Sequence, residues 1–462
     1  MDQRAFDRGV DPLALMERAA GHLARAVVDA GGRGYGLRVG ILCGKGNNGG
    51  DGLAAARRLL DAGACPTVCL VAGADDLSDD AAVQLRRWRA AGGRIAADVA
   101  DALEGADVGV DCLLGTGATG EPRPPYREAV EALNGRPQLA VVACDVPTGV
   151  DAHTGRVPGL AVAADVTVTL GAHKVGLHLW PARGRCGRLV LGELGIVTGD
   201  DEPAAAVLDA HDAAALLPQL APDAHKRSRG VVVVLAGSPG MTGAATLVAR
   251  GAMAAGAGLV TVATSAAARP LVAPTIPEAL TVDLPDDDPD AAFERVAAQT
   301  ERADALALGP GLGHAEPAVA LVRRLVREVD VPLVVDADGL NAFRHDGDAL
   351  ADHAAPLVAC TPHAQELARL LAADRAEVWD RRVELVPDRA RAWGVVLVAK
   401  GPGSMVAAPD GRVWVNPTGG PALATGGTGD VLTGMAAAMR AQQPGAESGA
   451  AAVWLHGLAG EE

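Results

Sequence analysis

Residues 37–52 read LRVGILC GKGNNGGDG: an apolar run from Leu37 to Cys43, then Gly44-Lys45-Gly46-Asn47-Asn48-Gly49-Gly50-Asp51-Gly52. The run predicts a buried strand, and Leu53–Ala62 beyond the glycines predicts a helix. Gly44, Gly46 and Gly49 form the GxGxxG spacing of a strand-to-helix turn, where absent side chains let the backbone approach a phosphate at a helix N-terminus. The spacing alone leaves two readings open, a phosphate cradle or a tight turn. Asn47, Asn48 and Asp51 fill this turn with oxygens that could ligate a hard cation or hydrogen-bond a ligand.

Outward from this stretch, apolar runs alternate with Ala-rich helix signals. Thr67–Ala72, Val108–Leu114 and Leu139–Asp145 read as strands and Ala81–Ala91 as a helix. The rhythm is that of βαβ units and a mostly parallel sheet. It breaks at Thr198–Asp212, acidic and then Pro- and Ala-rich, which is read as a linker. It restarts with strands at Val231–Leu235, Leu259–Ala263, Ala305–Leu308, Leu333–Val335, Leu357–Cys360, Val395–Ala399 and Val413–Asn416. Helices are expected over 243–256, 316–329 and from about Asp430. The halves share an architecture but no motif, so the chain reads as two α/β domains, 1–200 and 208–462.

Two further strand ends carry carboxylates: Asp111 ahead of Gly115-Thr116-Gly117, and Asp145 ahead of Val146-Pro147-Thr148-Gly149. Ligands of open α/β sheets bind at the carboxyl edge, so three such loops outline a site, although each Asp could also be a buried structural one.

Composition narrows the partners. Apolar residues are 49% and aromatics 2%, so the cores are Ala, Val and Leu, and base-stacking platforms for single-stranded nucleic acid are not expected. A net charge of −16 argues against nucleic acid or an anionic membrane as partner. Met241–Thr264 is too weak for a membrane span. Asp2, Arg4, Asp7 and Arg8 do not suit a signal peptide, and seven Cys without a CxxC suit reduced cytoplasmic thiols. Only four Lys occur, at 45, 174, 226 and 400, against a background that favours Arg; residues kept this way are candidates for chemistry that Arg cannot do.

The C-terminal half ends in Thr425-Gly426-Gly427-Thr428-Gly429-Asp430. A glycine turn opening a helix aims free N–H groups at an anion, and a carboxylate at its end can take a proton from an attacking hydroxyl, the pairing that phosphoryl transfer needs. The alternative for Asp430 is an acid stabilising the helix dipole. No GxxxxGK[ST] is present. His363, after Thr361-Pro362, is a site candidate or a turn histidine; no second His or Cys stands at ligand spacing. Asp336 and Asp338 could organise magnesium and phosphates or cap a turn.

Leu15-Met16-Glu17-Arg18-Ala19, GNNGGDG at 46–52, VDCLLGTG at 110–117, DVPTG at 145–149 and HKVGL at 173–177 together resemble the YjeF N-terminal, NAD(P)H-hydrate epimerase family. HKRSRG at 225–230, GPGLG at 309–313, DADGLN at 336–341, TPHAQE at 361–366, KGPGS at 400–404 and NPTGG with LATGGTGDVLTG at 416–434 resemble the ADP-dependent NAD(P)H-hydrate dehydratases, a ribokinase-like domain. The whole chain is thus similar to the bifunctional repair enzymes of hydrated NAD(P)H, both lyase and isomerase. The resemblance implies a Rossmann-like three-layer αβα domain followed by a ribokinase-like α/β domain.

For the first domain it implies hydrate binding by Asn47, Asn48, Gly49, Gly50 and Asp51, by Gly115, Thr116, Gly117, Ala118, Thr119, Gly120 and Glu121, and by Asp145. It implies potassium on Asn48, Asp111 and Thr148, with Thr148 where the family usually has Ser. Asp145 is the proton carrier chosen for the epimerised carbon, with Lys174 second. For the second domain it implies hydrate near Ala244, Gly313, His363 and Asp430, and adenine nucleotide on Lys400, Gly401, Pro402, Gly403, Ser404 and Gly429. Asp430 would be the base and magnesium the charge neutraliser, with ADP as co-substrate. ADP would phosphorylate the ring hydroxyl of S-NADHX or S-NADPHX, and phosphate loss would restore the coenzyme. TPHAQE departs from the family, where Pro-Gly is more usual before Glu366. The family usually has more chain before Met1 and after Glu462. A cytoplasmic homo-oligomer is expected. Two rivals remain at this stage: a small-molecule kinase fused to a nucleotide-binding domain, and an N-terminal domain that only senses nucleotide.

Overall fold

The computed structural model describes residues 9–196, 203–443 and 445–462. The chain divides into two compact units, Met1–Glu202 and Pro203–Glu462.

The first unit is built on seven parallel strands: β1 (Arg38–Cys43), β2 (Cys65–Leu70), β3 (Arg94–Ile95), β4 (Val108–Cys112), β5 (Ala140–Cys144), β6 (Val166–Leu170) and β7 (Arg188–Gly192). Their order is β3-β2-β1-β4-β5-β6-β7. The central strands are near-continuous apolar runs because helices cover both faces. The chain winds one way from β1 and the other way from β4, so a crevice opens outside the carboxyl ends of these two neighbours. The helix expected from Leu53 begins at Asn47, with Gly46 as its N-cap. The polar stretch therefore forms the first helical turns, and its glycines serve close packing. A Cβ on Gly50 would lie 2.6 Å from the Met16 side chain, and one on Gly52 2.8 Å from Cys112.

The second unit holds β8 (Ala206–Val207), β9 (Val231–Leu235), β10 (Leu259–Ser265), β11 (Leu280–Leu284), β12 (Ala305–Leu308), β13 (Leu333–Val335), β14 (Val358–Cys360), β15 (Val396–Ala399), β16 (Met405–Ala407) and β17 (Val413–Val415). The order is β11-β10-β9-β12-β13-β14-β15-β16-β17-β8, parallel from β11 to β15; β16 and β17 then pair antiparallel. Part of the expected linker is structured: Ala206–Val207 pairs with β17, and Asp209 and Asp212 form a capping box on helix Ala210–Ala215. Thr198–Glu202 lies outside the described residues.

With so few aromatics, the second core is filled by small side chains, and its helices approach closely. Helix Thr428–Gln442 buries Leu432, Ala436, Ala437 and Met439 against Val248, Ala249 and Ala252 of helix Thr242–Ala254. A Cβ on Gly434 would lie 2.0 Å from the Val248 carbonyl oxygen, and one on Gly251 2.3 Å from that of Val431. Gly434→Ala should therefore force these helices apart at a cost of about 1–3 kcal/mol. Hydrogen exchange on the full chain should show lost amide protection in 242–254 and 428–442, with 12–61 unchanged.

Candidate active sites

In the first unit, Gly44 is obligatory: a Cβ there would lie 1.8 Å from the Leu113 carbonyl oxygen. Its N–H donates to the Cys112 carbonyl (2.9 Å), joining the ends of β1 and β4. The helix N-terminus that follows has no side-chain cap, so its first N–H groups stay open. Asp111 is fully buried. Its carboxylate accepts from the Leu113 N–H (3.1 Å), the Thr148 N–H (2.8 Å) and the Thr148 hydroxyl (2.8 Å). Burial, only partly offset by these hydrogen bonds, pushes its pKa up to about 6. Asn48 donates through Nδ2 to the Leu114 carbonyl (3.1 Å), while its buried Oδ1 has no partner. Asp111, Thr148 and Asn48 thus supply an all-oxygen donor set with one charge and one orphaned oxygen, a composition that fits a hard monovalent cation.

Asp145 follows β5 in the left-handed region (φ 65°), a strained conformation that aspartate tolerates better than most residues. Its Oδ1 accepts from Lys174 Nζ at 2.5 Å and the Leu170 N–H at 3.1 Å; Lys174 Nζ also donates to the Leu170 carbonyl at 2.7 Å. Lys174 is therefore no free surface ammonium.

Asn48, Asp145 and Lys174 face a cavity of about 910 Å³, which Asp111 and Thr148 do not line. Asn47, Asn48, Asp51, Gly115, Thr116, Gly117, Ala118, Asp145 and Lys174 line it. Gly49 and Gly50 are buried in the helix behind it, and Thr119, Gly120 and Glu121 do not line it; Glu121 pairs with Arg127 (2.7 Å). The sequence reading missed the apolar wall of Leu15, Met16 and Ala19, and also His173. The apolar face of helix Pro12–Gly31 carried a signal for the wall.

In the second unit, the β13 end delivers Asp336, fully buried, to the β15 end. Its Oδ1 accepts from Lys400 Nζ (2.7 Å) and its Oδ2 from the Thr433 hydroxyl (2.6 Å). Thr433 ties the cluster to the Thr428–Gln442 helix. Burial works against the Lys400 charge, but Asp336, Glu366 and Asp430 outweigh it and raise its pKa. Gly427 (φ 94°) caps that helix without a side chain, leaving its N-terminal N–H groups open. Gly429 keeps the turn close to the cluster: a Cβ there would lie 3.3 Å from Lys400 Nζ. Asp430 stands half-buried, its pKa raised to about 6 by burial and then by the Asp336 carboxylate, with Lys400 opposing.

His363 accepts at Nδ1 from the N–H groups of Gln365 (3.1 Å) and Glu366 (3.2 Å), and its own N–H donates to Glu366 Oε2 (2.8 Å). It caps helix Ala364–Leu370, and its Nε2 lies 3.5 Å from Glu366 Oε1. His363 also bridges to Lys400 across the ends of β14 and β15. Gly311 packs against Ala244, Gly313 lies near the Met241 side chain, and the Gly313 N–H donates to Asp338 Oδ2 at 2.8 Å. Asp338 also accepts from Asn341 Nδ2 at 3.2 Å. Asp336 and Asp338 are thus engaged within the chain. The Gly401–Ser404 turn closes on itself, the Ser404 hydroxyl donating to the Gly401 carbonyl (2.9 Å) and accepting from its N–H (3.1 Å). Pro402 and Gly403 form its tip, while Trp379 packs on Gly401. Among the described residues, no three His, Cys, Asp or Glu stand ready to hold a metal ion.

Lys400→Met would leave Asp336 buried without its counter-charge, a loss of about 3–5 kcal/mol. Thermal unfolding should show a large drop for K400M and partial recovery in the double variant K400M/D336L, where no charge is stranded.

The chain matches two family models: "YjeF-related protein N-terminus" over residues 12–176 and "NAD(P)H-hydrate dehydratase" over 232–462. The bifunctional NAD(P)H-hydrate repair enzyme Nnr of Moorella thermoacetica is 39% identical over 448 residues, 92% of this chain and 83% of that protein. The enzyme of the same name from Salinibacter ruber is 40% identical over 460 residues, 94% of this chain and 84% of that one. A solved ADP/ATP-dependent NAD(P)H-hydrate dehydratase from Bacillus subtilis, co-crystallised with ATP and Mg²⁺, is similar at 34% identity and a TM-score of 0.48, covering 55% of this chain and 88% of that chain.

Proposed function

The chain belongs to the bifunctional NAD(P)H-hydrate repair family, and from that premise we propose how its two sites divide the work. It is an NAD(P)H-hydrate epimerase and dehydratase. Residues 1–200 form the epimerase domain and 208–462 the dehydratase domain.

The observation that carries the dehydratase reading is Asp430, half-buried at an uncapped helix N-terminus beside Lys400. The S-hydrate bears a hydroxyl next to the ring nitrogen. Hydroxide leaves poorly, so the hydroxyl is first phosphorylated. Asp430 takes its proton as the oxygen attacks the terminal phosphorus of ADP; AMP departs and a phosphate ester remains. The ring nitrogen's lone pair then expels phosphate, and loss of the neighbouring C–H proton restores NAD(P)H. The open N–H groups after Gly427 cradle the transferring phosphoryl group. Gly401–Ser404 and Gly429 receive the nucleotide, while Ala244, Gly313 and His363 border the hydrate. Lys400 acts through Asp336, holding Gly429 in place. Among the described residues there is no ready magnesium cage, and such an ion would arrive on the nucleotide's phosphates, the usual habit of a cation that keeps few protein ligands.

In the epimerase site, the 910 Å³ cavity admits a nucleotide-sized ligand. Asn47, Asn48, Asp51 and Gly115–Ala118 receive the hydrate, and Asp145, with Lys174 bonded to it, moves the proton of the hydroxyl on the epimerised carbon. Asn48, Asp111 and Thr148 would hold potassium, whose charge would steady the ionised Asp111 and the turn around it. Seven unpaired cysteines suit a reducing cytoplasm. Among the described residues, no helix is long and apolar enough to cross a membrane.

Mixed R,S-hydrate with ADP, followed by the return of NADH absorbance, tests both halves. Full recovery is expected from the wild type. Asp430→Asn should lose about 10²–10⁴-fold of the dehydratase rate; wild-type turnover in D430N would end this reading, and a stop after the S fraction in the wild type would end the epimerase reading. Asp430 is a base only when ionised, so the dehydratase rate should fall as pH drops through about 6 and level off above it.

Potassium should raise the melting temperature of the first unit at pH 8, where Asp111 is ionised. The effect should shrink at pH 5, where a carboxyl with a pKa of about 6 has taken a proton. Melting in potassium against tetramethylammonium chloride checks this, and Asp111→Asn should abolish the difference.

A further inference from the structure

Beside Asp145 and Lys174, the epimerase cavity presents an imidazole to which no role has been given, the first residue of the HKVGL stretch. His173 lines the cavity and is exposed to it. Behind it, in the short helical turn Val175–His178, the ring of His178 is buried. His178 Nε2 lies 3.1 Å from His173 Nδ1, and the rings meet edge to face with centroids 4.9 Å apart. The contact takes one proton; carried on His173 Nδ1, it leaves Nε2 of that ring as the acceptor.

We infer that His173 is the second proton carrier of the epimerase, taking and returning the proton of the water that adds to the hydrate ring, with His178 as its positioning partner. The inference rests on the epimerase reading above and deepens it. Inversion of a hydroxyl beside a ring nitrogen needs an acid on one face and a base on the other. On the first face the C–O bond breaks and the lone pair of nitrogen forms the C=N⁺ bond. A proton from the Lys174–Asp145 pair goes to the departing oxygen, which leaves as water. On the second face water adds to the same carbon, the C=N⁺ pair returns to nitrogen, and the added water's proton goes to His173. The reverse direction uses the same groups with roles exchanged, and solvent resets the pair after each net turnover, so no proton is consumed.

The other ionisable groups lining the cavity, Lys45, Asp51, Asp80 and Tyr126, are of ammonium, carboxylate and phenol types. Such groups ordinarily keep one protonation state near neutrality, whereas an imidazole gives and takes. Lys174 is held by two acceptors, Asp145 and the Leu170 carbonyl, so it cannot cross to serve both faces. The charges around the imidazole pair are Lys174 beside His173, Arg183 from the turn Ala182–Arg185, and Asp145 reached through Lys174. Burial, helped by His173 and Arg183, holds His178 down to about 4, and burial with Lys174 also lowers His173. Both rings are accordingly neutral at rest, the form in which His173 accepts a proton.

The test supplies purified R-hydrate to the full chain with excess ADP and follows NADH, with S-hydrate turnover as an internal control for folding. His173→Ala should lower epimerase kcat about 10²-fold, the size of a positioned acid–base group. KM for R-hydrate and the S-hydrate rate should stay within about twofold, since His173 lies in the other unit. Free imidazole should restore much of the lost kcat, and His178→Phe should move the acidic limb of the epimerase pH profile while keeping most of the turnover. Wild-type kcat in H173A, or a loss that imidazole leaves in place, overturns the inference. Failure of the wild type to consume R-hydrate would instead remove the epimerase reading itself.

Discussion

A carboxylate wholly buried at the end of a parallel strand cannot stand alone, because removing its charge from water costs far more than the fold has to spare. Each unit of this chain contains one, and each answers it differently. Asp336 receives Lys400 and the Thr433 hydroxyl, so its charge is cancelled from within. Asp111 receives neutral donors from Leu113 and Thr148. The first arrangement is a finished structural joint that fixes Gly429 and the helix carrying Asp430. The second is chemically incomplete, and Asn48 Oδ1 beside the same turn has no partner. The same residue type at the same kind of edge thus makes a charge-paired scaffold in one unit and a carboxylate without a counter-charge in the other.

Much of this was legible in the sequence. Val, Ile and Leu runs between Ala-rich stretches gave away the parallel sheets, because strands covered on both faces have no polar side to show. The short strands at the far edge, β16 and β8, escaped notice because three or two residues carry no periodicity. The start of helix Asn47–Asp61 was misplaced for another reason. Gly and Asn are poor helix formers, so local propensity put the stretch in a turn. Tertiary contact overrode it, since Gly50 and Gly52 admit Met16 and Cys112 where any side chain would collide.

Of the site groups, those named by motif were easier to find than their partners. Asp145, Asn48 and Asp430 stand inside quotable motifs, whereas the Lys400–Asp336 pair joins residues far apart in sequence, and only the fold brings them to 2.7 Å. His363 shows the opposite limit. Its Thr-Pro context singled it out, yet Nδ1 is spent on capping a helix, so only Nε2 is left to face a ligand.

The placement of Asp430 suits the base role proposed for it, as a compromise. A group that takes a proton from an alcohol should be as basic as possible while remaining ionised at working pH. An open helix N-terminus alone would make the carboxylate a weaker base, because its dipole favours the anion. Burial and the nearby Asp336 carboxylate push the other way, and Lys400 limits the excess, leaving a pKa of about 6. The lysine that completes the Asp336 joint therefore also sets how strong the base becomes. Under the proposed role of Asp430, stability and reactivity in the second unit share one ammonium group, so neither can be tuned without the other.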